Sequence, residues 1–339
     1  GHIAMNAIRN WRVLTLFAVV AMLACGAGIA RAQGIESYAL VHPFGLSSAA
    51  TTRVMGMGGP VSCVWDRGFA NPAFAAMQTD PNASIRYQTT DFAQGPDLDA
   101  YQLHYILPLT DNESGLQFSF FDLSGDPAAT RMQGGPMASM SEQDLSVHYG
   151  RRIGEKLTAG IGLSAISDID MSLTAPGMPL LDIASEADWG ARLGIAYEHA
   201  PGVFLGAVYD YYQETATATG ALVGGGPVQR VFWTDLLALG VSWNAGPKTL
   251  VAVEYRRSAT HEGPNVQTLN TWHAGAEYDI SNRFALRAGM NDSRLTFGLG
   301  YEDSRWDLSY AYINRWNDDI ATGLFGPSDS HGLQATYRW

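Results

Sequence analysis

Asp318 and Asp319, followed by Asp329 and His331, are the residues of this chain best suited by type to activate a water molecule, with a carboxylate as base and an imidazole to carry the proton. Their spacing argues against it. Adjacent acids in an extended chain point to opposite sides, and an acidic loop in water needs nothing more than this composition. No GxSxG, no HExxH and no pair of mature cysteines accompanies them. The residues predict no enzyme, no metal centre and no bound cofactor. The run "GMGG" at residues 56–59 follows no strand of a βαβ unit and lacks the third glycine of a dinucleotide fingerprint.

Two other sets carry chemistry of a different kind. Gln102, His104, His148, Glu254, Arg256, His273 and Glu277, with Glu302, Asp307 and Arg338, place polar groups at alternating positions. Residues two apart in an extended chain share a face. Such a face forms either a polar conduit gated by ion pairs or a wall whose charges hold something in its interior. The second set is apolar and falls between the alternating segments: Met132, Met137 and Met140; Met171, Met178, Leu180 and Leu181; Leu222 and Val223. Methionine and leucine on loops make an adaptable capture surface for acyl chains or aromatics. Equally, they serve loops that pack over one another.

The elements that must position these residues are strands. In "RLTFGLGYE", Leu295, Phe297, Leu299 and Tyr301 share one face and Thr296, Gly298, Gly300 and Glu302 the other; "WDLSYAYIN" repeats the pattern with Trp306, Leu308, Tyr310 and Tyr312. We read about fourteen strands between residues 83 and 339. Short links such as "IGEK", "HAPG" and "EDSR" alternate with long ones such as "SGDPAATRMQGGPMASMS" and "IDMSLTAPGMPLLDIA". That alternation predicts a transmembrane antiparallel β-barrel, with tight turns on the periplasmic side and large loops outside. The final "GLQATYRW" turns Leu333, Ala335, Tyr337 and Trp339 outward. Tyr337 and Trp339 resemble the C-terminal signal read by the barrel-assembly machinery.

Composition agrees. Charged residues make up only 16% of the chain and the net charge is -12, a poor match for nucleic acid. "GHIAM" reads as a cloning scar, and the basic, apolar and "ARA" segments that follow read as a secretory signal cut before Gln33, so that residues 1–32 are removed. Cys63 is then the only cysteine, with no disulfide open to it. Residues 33–82 contain "MGMGGPVSCVWDRGFANPAFAAM", which fits neither the helix nor the strand period. Irregular backbone at membrane depth must be buried in protein or line a cavity. This segment is therefore expected inside the lumen of the barrel formed by residues 83–339, as a hatch whose small residues Gly56, Gly58, Gly59 and Ala73 allow close packing and whose Asn71 and Pro72 set a turn.

"RVMGMGGPVSCVWDRGFANPAFAAM" resembles the N-terminal segment of the FadL-type outer-membrane family, which includes long-chain fatty acid transporters and PorV-like proteins. Asn71, Pro72 and Ala73 match the family's NPAGLA-like motif, and Phe74 stands where the glycine is usual. "FALRAGMNDSRLTFGLGYEDSRWDLSYAY" is similar to the closing strands of PorV-like members. The resemblance implies a fourteen-stranded barrel around an N-terminal hatch. It also implies one of two roles: uptake of small hydrophobic molecules, or a PorV-like docking component of a protein secretion system. The partners implied are the lipid bilayer with its lipopolysaccharide, the barrel-assembly machinery, and either a small hydrophobic ligand or secretion-system proteins. A transporter should hold an apolar path between loops and hatch; a docking protein should expose a flat apolar patch at the rim.

Overall fold

The computed structural model describes residues 50–339 except 67–69, 94–96, 110–112, 130–136, 176–177, 186–187, 222–223, 225, 293 and 315–327. The expected signal segment, Met132, Leu222, Val223, Asp318 and Asp319 lie outside the described residues, as do the side chains of Met137 and Met171. Alternation of apolar and polar residues builds the strands β1 (Asn82–Phe92), β2 (Leu98–Pro108), β3 (Ser114–Ala129), β4 (Met137–Arg152), β5 (Leu157–Ala175), β6 (Met178–Ser185), β7 (Asp188–Ala200), β8 (Val203–Thr219) and β9 (Val228–Gly246). They continue with β10 (Thr249–Glu262), β11 (Asn265–Asp279), β12 (Phe284–Asn291), β13 (Arg294–Glu302), β14 (Trp306–Asn314) and β15 (Ser328–Arg338). All belong to one antiparallel sheet, and β1 pairs with β15 to close it.

Strands β6 and β7 share one lane of the wall. Both lie between β5 and β8, with β6 pairing Asp170 to Ala175 of β5 and β7 pairing Leu157 to Ile166. The closed barrel therefore has fourteen lanes, the number expected from the periodicity. Closure leaves no free sheet edge, which is what lets strands cross an apolar medium.

The strands run further than their alternation does. Stretches expected as long loops are largely β-structure: β3 reaches Ala129, β4 begins at Met137, and "IDMSLTAPGMPLLDIA" folds as the β5–β6 hairpin. Met140, Met178, Leu180 and Leu181 thus sit on strands and not on loops. The reason is that the ladder of backbone hydrogen bonds persists beyond the lipid-facing band, where no apolar face is required.

The outer face is a continuous apolar band. Leu295, Phe297 and Leu299 are each about half exposed, while Thr296 between them is fully buried. Aromatic residues edge this band at both ends. On the short-turn side Trp306 meets Tyr337 with ring centroids 4.9 Å apart, Tyr337 stacks on Trp339 at 6.0 Å, and Trp339 on Tyr105 at 5.9 Å. Toward the other end stand Tyr87–Tyr101 at 5.1 Å, Tyr255–Trp272 at 5.1 Å and Trp233–His261 at 5.0 Å. Two girdles about an apolar band are the mark of a membrane barrel. Among the described residues no helix is long and apolar enough to cross a membrane.

The short turns carry their own caps. Asp303 Oδ1 accepts from the backbone N–H groups of Arg305 and Trp306, both at 2.8 Å. These donors favour the ionised form and hold the Asp303 carboxyl below the usual carboxylate range.

Candidate functional site

Residues 50–66 and 70–78 run across the inside of the wall near its short-turn end. They contain one turn of helix, α1 (Thr52–Gly56), capped by Thr51, and a 3-10 helix (Pro72–Met77) capped by Asn71, whose Oδ1 accepts from Ala73 N at 3.0 Å. Pro72 occupies the first helical position, where a missing N–H costs nothing. Both pieces are too short to stand alone in water. Tertiary contacts hold them.

The wall makes room with glycine. Gly115, Gly150, Gly160 and Gly194 are mutual register partners on β3, β4, β5 and β7, and a Cβ on any of them would overlap residues 71–76. Gly206 and Gly240, paired on β8 and β9, face Ser62 and Cys63; Gly275 and Gly289, paired on β11 and β12, face Met57; Gly298 of β13 faces Gly56. The result is a belt of inward glycines matched to one path of the segment. Gly58 closes the fit from the segment's side: its φ is +84°, and a Cβ there would lie 2.6 Å from the carbonyls of Ala274 and Met290. No feature of the sequence read strand by strand reveals this belt, because it appears only when the register aligns inward glycines of successive strands.

Polar groups complete the seat. Asn71 Nδ2 donates to the carbonyls of Ser62 (2.8 Å) and Ile195 (3.2 Å). Glu254 Oε2 accepts from Ser62 N at 2.6 Å, Ser242 Oγ donates to Cys63 O at 2.7 Å, and Thr296 Oγ1 to Gly56 O at 3.1 Å. His273 Nδ1 lies 2.9 Å from Gly58 O, and Arg256, paired with Glu254 at 2.6 Å, donates to Gly59 O. Arg86 is fully buried and donates to Ala50 O. Arg256 and Glu277 do not meet: Glu277 is held by Arg53 of the segment (2.5 Å) and Arg287 of β12 (2.6 Å). Arg53, Arg86 and Arg287 are absent from the sequence-based set, because only the third dimension brings them to these partners. His104 and His148 lie buried on the inner face, and Gly162 leaves space for the His148 ring.

Replacing Asn71 by alanine removes three hydrogen bonds and leaves the buried Ser62 carbonyl and Ala73 N–H without this partner. The expected loss is about 3 kcal/mol of local stability, at 1–3 kcal/mol for each unmet buried group, and a rise in single-channel leak in planar bilayers. An unchanged conductance would show that the segment does not obstruct the lumen.

Beyond the segment, toward the long-loop end, the inner face turns apolar. Phe92, Leu98, Phe121, Leu123, Leu236 and Ile313 come from five strands and are buried. They form one cluster with Val54, Met55, Met57 and Val61 of the segment, and Met140 packs against it. Nearer the rim Leu181 packs on Ile183 and Phe232, Leu180 is half-buried and Met178 exposed. The sequence reading missed the deeper set. A signal was present in β3, where Phe118 and Phe120 face outward and Phe121 and Leu123 inward, so both faces of one stretch are apolar.

Asp329 accepts from Asn314 Nδ2 at 3.1 Å, and His331 Nδ1 lies 2.8 Å from the Tyr310 hydroxyl. The alternation of β15 puts both on the outer face. Among the described residues no group of three metal-ligating side chains occurs.

No family model and no curated protein matches this chain. Solved structures do. The Pseudomonas putida toluene transporter TodX aligns with a TM-score of 0.60 at 15% identity, covering 86% of this chain and 98% of that one. The CymD monoaromatic hydrocarbon channel aligns at 0.55 and 15% identity over 87% and 97%, and a Pseudomonas aeruginosa FadL homologue at 0.56 and 12% over 85% and 98%. At these identities the likeness is one of fold, and the fold is that of the FadL-type channels.

Proposed function

We propose that this barrel, folded as the FadL-type channels are, lies in the outer membrane of a Gram-negative-type bacterium and takes up small hydrophobic molecules past a hatch formed by residues 50–78. The observation that carries the reading is the apolar lining. Barrel interiors are ordinarily polar, yet here a buried apolar cluster runs from Phe92, Phe121 and Ile313 to the segment itself. A hydrocarbon-like or acyl ligand is the chemistry such a surface recognises, and the neighbours in fold include a toluene transporter and a monoaromatic hydrocarbon channel.

In this scheme Met178, Leu180 and Leu181 near the long-loop rim capture the ligand, the deeper lining receives it, and passage follows a shift of the hatch against the glycine belt. The short turns face the periplasm. Insertion would depend on the barrel-assembly machinery, with lipid and lipopolysaccharide around the wall. The polar contacts of the segment act as latches, which reconciles a tight seat with occasional movement.

Native mass spectrometry of the barrel purified in mild detergent tests this. A hydrophobic molecule at fixed stoichiometry is expected. Phe121→Ala should lower its affinity about tenfold, since full burial of a large apolar side chain is worth about 1.5–3 kcal/mol. An empty barrel that instead retains a protein partner would overturn the uptake reading in favour of secretion docking.

A further inference from the structure

Arg256 and Arg257 are adjacent in β10 and turn to opposite faces of the wall. Arg256 is buried against Glu254 and the internal segment; Arg257 takes the outward position and is exposed. A cation on the lipid-facing side of a barrel is tolerated near the membrane interface and costly at mid-depth. Its neighbours set it at the interface. Two ring pairs of the long-loop girdle bracket it along β10, Tyr255–Trp272 on one side and Trp233–His261 on the other.

No carboxylate takes up its charge. Among the described residues Arg257 has no ion pair, and Asp235, on the same face of β9, has both oxygens engaged: Oδ1 accepts from the Tyr209 hydroxyl at 2.5 Å and Oδ2 lies 3.1 Å from His261 Nε2. Across β11 the register partner of Arg257 is Asn270, also exposed. Tyr255 Oη donates to Asn270 Oδ1 at 2.8 Å, which fixes the amide and leaves its N–H donors unspent. Two adjacent strands thus present a positive charge and several donors. That is the complement of an anion with several acceptor oxygens, and the planar fork of arginine matches phosphate in particular.

The rest of this rim has the opposite sign. Asp91, Asp99, Asp122 and Asp329 hold outward positions toward the long-loop end of β1, β2, β3 and β15, and among the described residues Arg257 is the only arginine or lysine so placed. An anion moving in the plane of the membrane is repelled at those strands and attracted at β10. Leu237, the partner of Arg257 on β9, and Leu239 continue the apolar band from there toward the short turns. A phosphate seated at Arg257 therefore leaves attached acyl chains on apolar wall.

We infer that Arg257, with Asn270, forms a binding site for a phosphate of lipopolysaccharide on the outer face of β9, β10 and β11. The inference rests on the proposed placement in the outer membrane with the long loops outward, and not on what the barrel carries. It picks out one sector of the wall for the outer-leaflet lipid.

The test titrates the full barrel, in a non-ionic detergent, with diphosphorylated lipid A, its dephosphorylated form and phosphatidylglycerol, and counts bound lipid by native mass spectrometry. One diphosphorylated lipid A per barrel is expected, with the other two lipids about tenfold weaker and all binding by the phosphate reduced at high salt. Arg257→Gln should weaken the lipid A adduct about tenfold, the loss of one charge-assisted contact. Asn270→Ala should weaken it less. Arg151→Gln, which removes the outward arginine at the short-turn end of β4, should leave it unchanged. Equal loss in the Arg257 and Arg151 variants, or an adduct as strong without the phosphates, would overturn the site; phosphatidylglycerol binding as tightly as lipid A would overturn its assignment to lipopolysaccharide. The placement fails separately, if the native barrel in cells fractionates away from the outer membrane, and the uptake reading separately again, on the absence of any ligand sensitive to Phe121→Ala. A native-like shift between boiled and unboiled samples on gels confirms that each variant has folded.

Discussion

Replacing Gly206 by valine is expected to unseat the internal segment while leaving the wall intact. A Cβ at this position would overlap the Ser62 carbonyl, and that carbonyl cannot simply move aside. It accepts from Asn71, while Ser62 N is bound to Glu254 and the next carbonyl, of Cys63, to Ser242. Overpacking a close-fitted interior costs about 1–3 kcal/mol, and losing these bonds adds to it. The wall strands keep their ladders, because β8 pairs with β7 and β9 through backbone groups that the substitution does not touch. The readout is Cys63, which is 1% exposed. In a Cys25→Ser background a membrane-impermeant maleimide should label it about a hundredfold faster in the variant, the factor that corresponds to about 3 kcal/mol of easier opening. Conductance in planar bilayers should rise with it. Gly154→Val is the control, since nothing lies within 4 Å of its Cβ position. Equal labelling of the two variants would mean that the belt does not determine where the segment sits.

Much of the wall was legible in the sequence because a lipid-facing surface leaves no freedom: each outward position of β13 and β14 must be apolar, and the alternation of Leu295, Phe297, Leu299 and of Leu308, Tyr310, Tyr312 follows. The inward placement of His104, His148, Glu254, Arg256, His273 and Glu277 came from the same parity. Where the lipid constraint ends, so does the pattern. "TATATG" in β8 continues a ladder as far as Thr219, but threonine on one face and alanine on the other differ too little in polarity to mark a strand, and it reads as loop. The glycine belt failed to appear for another reason. Gly150 and Gly160 are neighbours in space only after β4 and β5 settle into register, and register is a property of pairs of strands. The apolar lining escaped because Phe121 and Leu123 were masked by the equally apolar Phe118 and Phe120 beside them.

The other large effect is expected at Glu277, where one carboxylate serves two guanidinium groups. Arg53 brings its Nε and Nη2 from the segment to 2.9 and 2.5 Å, and Arg287 its Nε from β12 to 2.6 Å. Arg287 also donates to Leu299 O at 3.1 Å and Ser309 Oγ at 3.2 Å, in a space left open because residue 300 is glycine. Glu277→Leu leaves two cations facing each other, with the Arg287 side chain only 5% exposed. Removing one partner from a buried ion pair costs about 3–5 kcal/mol, and the loss should show as a lower denaturant midpoint in detergent. Glu277→Gln keeps an acceptor and should cost less. The decisive variant is the triple replacement Arg53→Met, Glu277→Leu, Arg287→Met. If the cluster acts chiefly as a latch, the triple variant recovers most of the stability, because the uncompensated charges are gone, yet Cys63 stays easier to label since α1 has lost its tie to Glu277 of β11. Recovery of both stability and protection would assign the seat to the glycine belt alone. Failure to recover either would show that Arg287 is needed by β13 and β14 and not by the segment. The cluster thus separates two roles that coincide in the native barrel: neutralising charge within the wall, and holding the segment to it.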